Sequence, residues 1–397
     1  MLKSSDLNFR HLHAAVTIAR LRSISAAAEV IHLTQPALTH AVRKLEDQLA
    51  HKLFDRRNNG VEATQEGLVF LAHVQDGLAR LTDAAQALRQ AHRLKMLAAP
   101  ERHFTSIQLR AFLAVLRTGG YTLAARDLGI SQPSIYRAVR ELQTLLGIPL
   151  FTQVGAVLRA PQNVQSFAAA VRLAMADVQS GIDELNAVHE PGTGRIALGS
   201  LPLARSALLP GLLARFSAAF PRVKITVAEG QYAELITALR EGSIDMMFGA
   251  LRAEFEMPDL LQRELFEDPL YVVGRAGHPA GDNAAPAALA AYPWISPVAA
   301  APARAVWEQF FTAAGVALPG RVIECASILL ARGLMLEGDW LGLMSPYQFR
   351  VEEAHGVLAP IGAPVPGSLR PIGLTIRRNW RPTSVQAAFL AMTPDAA

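Results

Sequence analysis

The chain carries a single cysteine, Cys325, in 397 residues. One thiol cannot close an intrachain disulfide, so a disulfide-stapled secreted scaffold is excluded and a reducing compartment is expected. A lone thiol of this kind reads as a small buried apolar residue. Also missing is an uninterrupted apolar stretch of membrane-spanning length. The alanine-rich run from Ala284 to Ala305 comes nearest, but four prolines break it, and it reads as loop and short helix. The opening residues MLKSSDLNFRHLH lack an apolar segment followed by small residues. No signal peptide is therefore expected, and the reading is a cytoplasmic protein with no membrane partner. Charged residues are sparse at 18% and hydrophobic residues abundant at 51%, which excludes general disorder. The length suggests about two to four domains.

Signatures of catalysis are missing as well. The eleven histidines show no metal-ligand spacing such as HExxH, and Ser200 has no nucleophile-elbow motif. Gly192-Thr193-Gly194 is too short for a phosphate loop. The reading is not an enzyme, with no catalytic residues, metal ligands or cofactor expected. A free solute-binding protein is disfavoured by the missing signal peptide and by what precedes residue 190.

What is present is a repeat. Residues 33 to 46 read LTQPALTHAVRKLE and residues 130 to 143 read ISQPSIYRAVRELQ, with one gapless offset. Thr34 and Ser131 are helix-capping types, and Pro36 and Pro133 fall in the first turn, where a missing N–H costs little. Leu38, Val42, Leu45 and Leu49 form an apolar face, as do Ile135, Val139, Leu142 and Leu146. The opposite face carries Gln35, Pro36, Thr39, His40 and Arg43, and in the second copy Gln132, Pro133, Tyr136, Arg137 and Arg140. Apart from the two prolines, such side chains donate to base edges and phosphates. Ahead of each lies a short helix with paired alanines, Ala27-Ala28 and Ala124-Ala125, small enough for the close crossing of a helix-turn-helix.

The repeat extends both ways. Asn8 and Thr105 can cap a supporting helix. LFDRRNNGVEAT from Leu53 to Thr64 reads as a two-stranded wing turning at Asn58, Asn59 and Gly60, with Arg56 and Arg57 facing phosphate. In the second wing Gln153 and Val154 replace those arginines. Net charge agrees: residues 1 to 100 hold 13 basic and 9 acidic residues, 101 to 190 hold 8 and 7, and the rest 17 and 18. Each wing precedes a long helix with heptad spacing: Leu71, Val74, Leu78, Leu81, Ala85 and Leu88, then Ala168, Val171, Met175, Val178, Ile182 and Leu185. Both need a partner, either another such helix or the surface of their own module.

From Arg195 the pattern becomes alternating strand and helix: RIALG, a helix from Ala204 to Phe220, KITVAE, a helix from Ala233 to Glu241, and IDMMFGA, implying a parallel sheet. Further strands are expected at LYVVG, PWIS, RVIEC, WLGLM and IGLTI, with a closing helix from Thr383 to Met392.

At this point the chain resembles the LysR-type transcriptional regulators. The resemblance rests on the Gln-Pro helix start, the Leu-Phe before the wing, Thr64 and Gly67 opening the linker helix, and Leu209-Pro210, Phe220-Pro221, Leu265-Phe266-Glu267-Asp268 and Gly277-His278-Pro279. It implies winged helix-turn-helix modules with linker helices, then an α/β, periplasmic-binding-protein-like effector domain of two lobes. The expected bounds are a first winged module over 1–65, a linker over 66–97, a second module over 103–162, a second linker over 163–190 and an effector domain over 194–393. Lobe I would take 194–270 and 369–393, and lobe II 271–368. LPLARSALLP is similar to a subgroup named after a galactose-binding-protein regulator.

The resemblance also implies partners: double-stranded promoter DNA, a small-molecule effector, RNA polymerase, and a second copy in a homo-oligomer. Expected DNA contacts are Thr34, Gln35, Pro36, Thr39, His40, Arg43, Arg56 and Arg57, with Ser131, Gln132, Pro133, Tyr136, Arg137 and Arg140. Expected effector contacts are Ser200, Leu201, Arg205, Gly249, Ser296 and Ser327, placed at strand ends where free backbone N–H groups gather. The departure from the family is the second module, and where family members pair linker helices between chains, the two long helices here are expected to pair within one chain. Either it reads DNA too, or only the first module binds and the second is a structural pairing unit.

Overall fold

The computed structural model describes residues 2–57, 60–206, 208–252 and 254–394, excluding the side chains of Arg56, Arg57 and Arg205. The expected wing turn at Asn58 and Asn59 lies outside the described residues.

The first unit contains α1 (Phe9–Leu21), α2 (Ile24–Ile31) and α3 (Gln35–Leu49), the hairpin β1 (Phe54–Arg57) and β2 (Gly60–Ala63), and the long α4 (Gln65–Ala91). The second repeats it as α5 (Ser106–Thr118), α6 (Tyr121–Leu128), α7 (Gln132–Leu146), β3 (Thr152–Val154), β4 (Val157–Arg159) and α8 (Gln162–His189). Local chemistry fixes the starts: Asn8, Ser23, Thr34 and Thr64 in the first unit, and Thr105 and Ser131 in the second, each accept a hydrogen bond from a first-turn N–H. The wings dock alike, Val61 N donating to Arg22 O and Leu158 N to Gly119 O.

α4 and α8 pack against each other along a shared core. Leu71, Val74, Leu78, Leu81, Ala85 and Leu88 are buried with Ala168, Val171, Ala174, Val178, Ile182 and Leu185. The helices run antiparallel, since Gly77 abuts Ala174 while Phe70 abuts Gly181. Both glycines are positions of close approach: a Cβ on Gly77 would lie 2.8 Å from Ala174 O, and one on Gly181 3.2 Å from Phe70 O.

Beyond α8 two five-stranded sheets follow. One has the order β6 (Arg222–Glu229), β5 (Thr193–Ser200), β7 (Met246–Ala250), β14 (Arg370–Arg377), β8 (Leu260–Asp268). The other has the order β11 (Val322–Glu324), β10 (Trp294–Ser296), β12 (Leu341–Met344), β9 (Tyr271–Arg275), β13 (Leu358–Pro360). The expectation of a parallel sheet holds only for β6, β5 and β7; β14 pairs antiparallel with β7 and β8, so the sheet is mixed. β8 escaped the sequence reading because charges interrupt its apolar pattern, and its pairing with β14 shifts register between Ile372 and Gly373.

The helix expected over 204–220 is two, α9 (Pro202–Ser206) and α10 (Leu208–Ala219). Pro210 falls in the first turn of α10, where it displaces no helical N–H bond. The other helices are α11 (Tyr232–Arg240), α12 (Pro286–Leu289), α13 (Pro302–Thr312), α14 (Ile328–Leu336), α15 (Pro346–Ala354) and α16 (Ser384–Ala391). Among the described residues no helix is long and apolar enough to cross a membrane.

Three histidines of the helical part are held below the ordinary histidine pKa, each chiefly by burial: His11 and His13 on α1, and His73 on α4. Because the folded chain binds these protons less readily than the unfolded chain, stability falls as pH drops through the ordinary value of about 6.5. The midpoint of thermal unfolding is expected to fall between about pH 7.5 and about pH 5.5, and to fall less in His73→Gln. An equal drop in both proteins would remove His73 from that account.

Candidate nucleic-acid interface and effector cleft

In α3 the buried face of Leu38, Val42, Leu45 and Leu49 turns Gln35, Pro36, His40 and Arg43 outward, with Thr39 partly exposed. Gln35, Pro36, Thr39, His40 and Arg43 together line a shallow recess of about 340 Å³. Lys44 is exposed beside them and adds a cation that the sequence reading passed over. In α7 the same rotation exposes Gln132, Pro133, Tyr136, Arg137 and Arg140. Tyr136 meets Tyr121 edge-on at 5.4 Å, and the Arg140 guanidinium lies 6.0 Å from the Tyr136 ring. Thr34 and Ser131 are exposed caps.

Helix α3 is tied to the chain entering the β1–β2 hairpin by a residue that sequence reasoning missed. Glu46 Oε1 accepts from Leu53 N at 2.8 Å and Phe54 N at 3.2 Å, and its repeat equivalent Gln143 Oε1 accepts from Leu150 N at 3.0 Å. Thr64 Oγ1 donates to Lys52 O and accepts from Gly67 N, both at 2.8 Å. Gly67 is needed there, because a Cβ would fall 2.2 Å from Leu53 O.

Contacts across the α4–α8 pair recur in exchanged form, which defines a twofold pseudo-axis. Ser4 N donates to Gln179 Oε1 at 2.8 Å, and at the exchanged positions Thr82 Oγ1 donates to Glu101 Oε2 at 2.7 Å. Each unit thus leans on the other's long helix. The part of the chain built on the β6–β5–β7–β14–β8 sheet rests on the same pair: Arg381 Nε meets Asp76 at 2.8 Å, Arg172 Nη1 meets Glu241 at 2.6 Å, and Ser384 Oγ donates to Glu184 at 2.7 Å.

Between the two sheets opens a cleft of about 990 Å³. Of the expected effector residues, Leu201 and Ser327 line it. Ser200 and Ser296 are fully buried behind its walls, Ser296 Oγ accepting from Arg304 Nη1 at 3.2 Å. Gly249 stands off the lining as well, and a Cβ there would lie 2.5 Å from Leu201 Cβ, so its absent side chain makes room for Leu201. The Arg205 side chain lies outside the described residues.

Cys325, expected in a core, is only partly buried and lines the cleft, its Sγ accepting from Ser327 N at 3.2 Å. Sequence reasoning missed Tyr232, Arg252 and Arg370. The Arg252 guanidinium lies 4.3 Å from the Tyr232 ring centre, and burial raises the Tyr232 phenol while that cation opposes it. Arg370 donates Nη2 to Asp268 Oδ2 at 3.1 Å and keeps a buried Nε with no partner among the described residues.

Among the described residues one group outside the cleft has a metal-ligand composition: His51, Glu66 and His189 bring ligand atoms within 4.8 Å of one another. The two imidazoles stack, with centroids 4.4 Å apart and planes inclined by 18°. A metal lies in the plane of each imidazole it binds, and two nearly parallel stacked planes cannot share one ion. Here the cluster is a packing contact, with His51 Nδ1 and Glu66 Oε2 at 3.1 Å.

Comparison with known proteins places these features in a family. The profile described as "Bacterial regulatory helix-turn-helix protein, lysR family" matches residues 9–68 and again 107–160, and the LysR substrate binding domain matches residues 189–397. HTH-type transcriptional regulator GalR of Pseudomonas putida is 31% identical over 97% of this chain and 96% of its own length. HTH-type transcriptional regulator PcaQ of Agrobacterium fabrum is 27% identical over 73% of this chain and 94% of its own. The solved structure of full-length CbnR complexed with its target DNA is 21% identical, has a TM-score of 0.53, and covers 72% of this chain and 97% of CbnR. A full-length OxyR variant of Pseudomonas aeruginosa is 20% identical with a TM-score of 0.51, covering 73% of this chain and 94% of its own. Near-complete coverage of PcaQ, CbnR and OxyR thus leaves over a quarter of this chain unmatched, whereas GalR aligns almost end to end. With two matched helix-turn-helix segments and a matched substrate-binding domain, the chain belongs to the LysR family of DNA-binding transcriptional regulators.

Proposed function

We propose that the two winged modules of one chain form a complete two-headed DNA-binding unit, and that a small molecule in the cleft controls it. The observation that carries this reading is the pseudo-twofold pairing of α4 with α8, which leaves both α3 and α7 with exposed polar faces. The pairing satisfies both apolar helix faces without a second copy. Any duplex whose local dyad coincides with the pseudo-axis meets α3 and α7 in equivalent ways. The DNA-contacting side chains are Gln35, Thr39, His40 and Arg43 in one head and Gln132, Tyr136, Arg137 and Arg140 in the other, with Thr34, Pro36, Ser131 and Pro133 shaping the helix starts and Arg56 and Arg57 in the first wing.

The effector, in this reading, lies between Leu201, Tyr232, Arg252, Ser327 and Arg370. Tyr232 supplies a flat apolar face, while Arg252 and the unpartnered Arg370 Nε favour an acidic or carbonyl-bearing compound. Lobe closure on it would shift lobe I against α4 and α8 through Arg381, Arg172 and Ser384, and so change DNA geometry and RNA polymerase recruitment. Further copies would assemble through other surfaces.

Salt dependence of promoter binding tests the two-headed reading. Each phosphate contact contributes about one unit to the slope of log affinity against log salt. Arg43→Ala and Arg140→Ala are each expected to reduce the slope by about one. A reduction for Arg43→Ala alone would leave the second module as a structural pairing unit.

A further inference from the structure

In a symmetric homodimer, a residue near the twofold axis faces its own kind. Here the equivalent positions have diverged into complements. Arg80 and Asp177 are 97 residues apart, the repeat offset itself, and their side chains meet at 2.7 Å. Gly77 abuts Ala174, also its own equivalent. At one pole His51, Glu66 and His189 gather, while at the other Asn163 meets His92 at 2.9 Å and position 148 is an isoleucine.

These differences dictate which helix can pair with which. Joining α4 to the α4 of another copy would set Arg80 against Arg80, and joining α8 to α8 would set Asp177 against Asp177. Only the α4–α8 pairing cancels both charges. Each unit therefore carries one head of each kind, never two alike.

The heads differ in what they can recognise. At equivalent positions α3 presents Thr39 and His40 where α7 presents Tyr136 and Arg137. Arginine can clasp guanine O6 and N7 with two donors, which histidine cannot do. Threonine offers a methyl and a hydroxyl, while Tyr136 is an aromatic face already braced by Tyr121 and approached by Arg140.

We propose that this protein reads a non-palindromic operator, with two unlike half-sites bound in one fixed orientation and the guanine-richer half under α7. The proposal rests on both modules contacting DNA. The test uses the full-length protein: random duplexes are selected for binding, and affinities are then measured for the selected site and for synthetic duplexes carrying either half twice in inverted repeat. The expected result is an unlike pair of half-sites, with both inverted repeats at least about tenfold weaker. The double variant Tyr136→Thr, Arg137→His is expected to shift preference toward the inverted repeat of the α3 half. A palindromic selected site, or equal binding of all three duplexes, overturns the inference while leaving the two-headed reading intact. Selection of one half-site with random sequence beside it overturns the two-headed reading, and the inference with it.

Discussion

Arg80→Asp is expected to destabilise the helical part by about 3 kcal/mol, the lower end of the cost of breaking a buried ion pair, because a quarter of the Arg80 side chain is exposed. Asp177 is the reason for the size. Burial raises its pKa, and the Arg80 cation is the main influence holding it ionised. Replacing that cation with a carboxylate sets two like charges against each other at the centre of the helix pair. The exchange Arg80→Asp with Asp177→Arg is expected to recover much of the loss, though not the bond from Arg80 Nη2 to Asn379 O at 3.0 Å. Thermal unfolding of the two single variants and the exchange decides the point. An exchange variant no better than the singles would show that charge pairing is not what matters there.

Asp268→Ala carries the second large effect. Asp268 is fully buried at the end of β8 in one sheet, and it accepts from Ser345 Oγ, directly after β12 of the other sheet, at 2.5 Å and from Arg370 Nη2 at 3.1 Å. Close by, Leu270 N donates to Ser368 Oγ at 3.0 Å, clasping the two crossing strands. Truncating the carboxylate strands a buried guanidinium whose pKa burial already lowers, at a cost of about 3–5 kcal/mol. Denaturant unfolding of the full chain reads the loss, and small-angle scattering should show a more open effector domain. Asp268→Asn keeps the shape and should cost less. A neutral Asp268→Ala would mean that the clasp does not set the lobe angle.

The repeated helical part was legible because its determinants are local. Thr34, Ser131 and the prolines mark helix starts within a few residues, and the apolar faces of α3, α4, α7 and α8 repeat at helical spacing. The pairing partner of α4 could be argued from sequence because α8 showed an equal need. The cleft was legible only in outline. Tyr232 begins α11, Arg252 follows β7 and Arg370 begins β14, and only a mixed sheet brings them together. No spacing announces that. Ser200 and Ser296 show the converse limit: a serine at a strand end can turn into the wall instead of the opening, and only the packing of Leu201 or Arg304 around it decides.

The junction after α8 has a further consequence. Only Glu190, Pro191 and Gly192 separate His189 from β5, so the two-sheet domain is covalently continuous with the second unit alone. Under the proposed reading one bound metabolite governs two reading heads, half the stoichiometry of an assembly in which each head brings its own sensor. The dose–response of a single unit would then follow a simple hyperbola, and any steepness in promoter output would have to arise between chains.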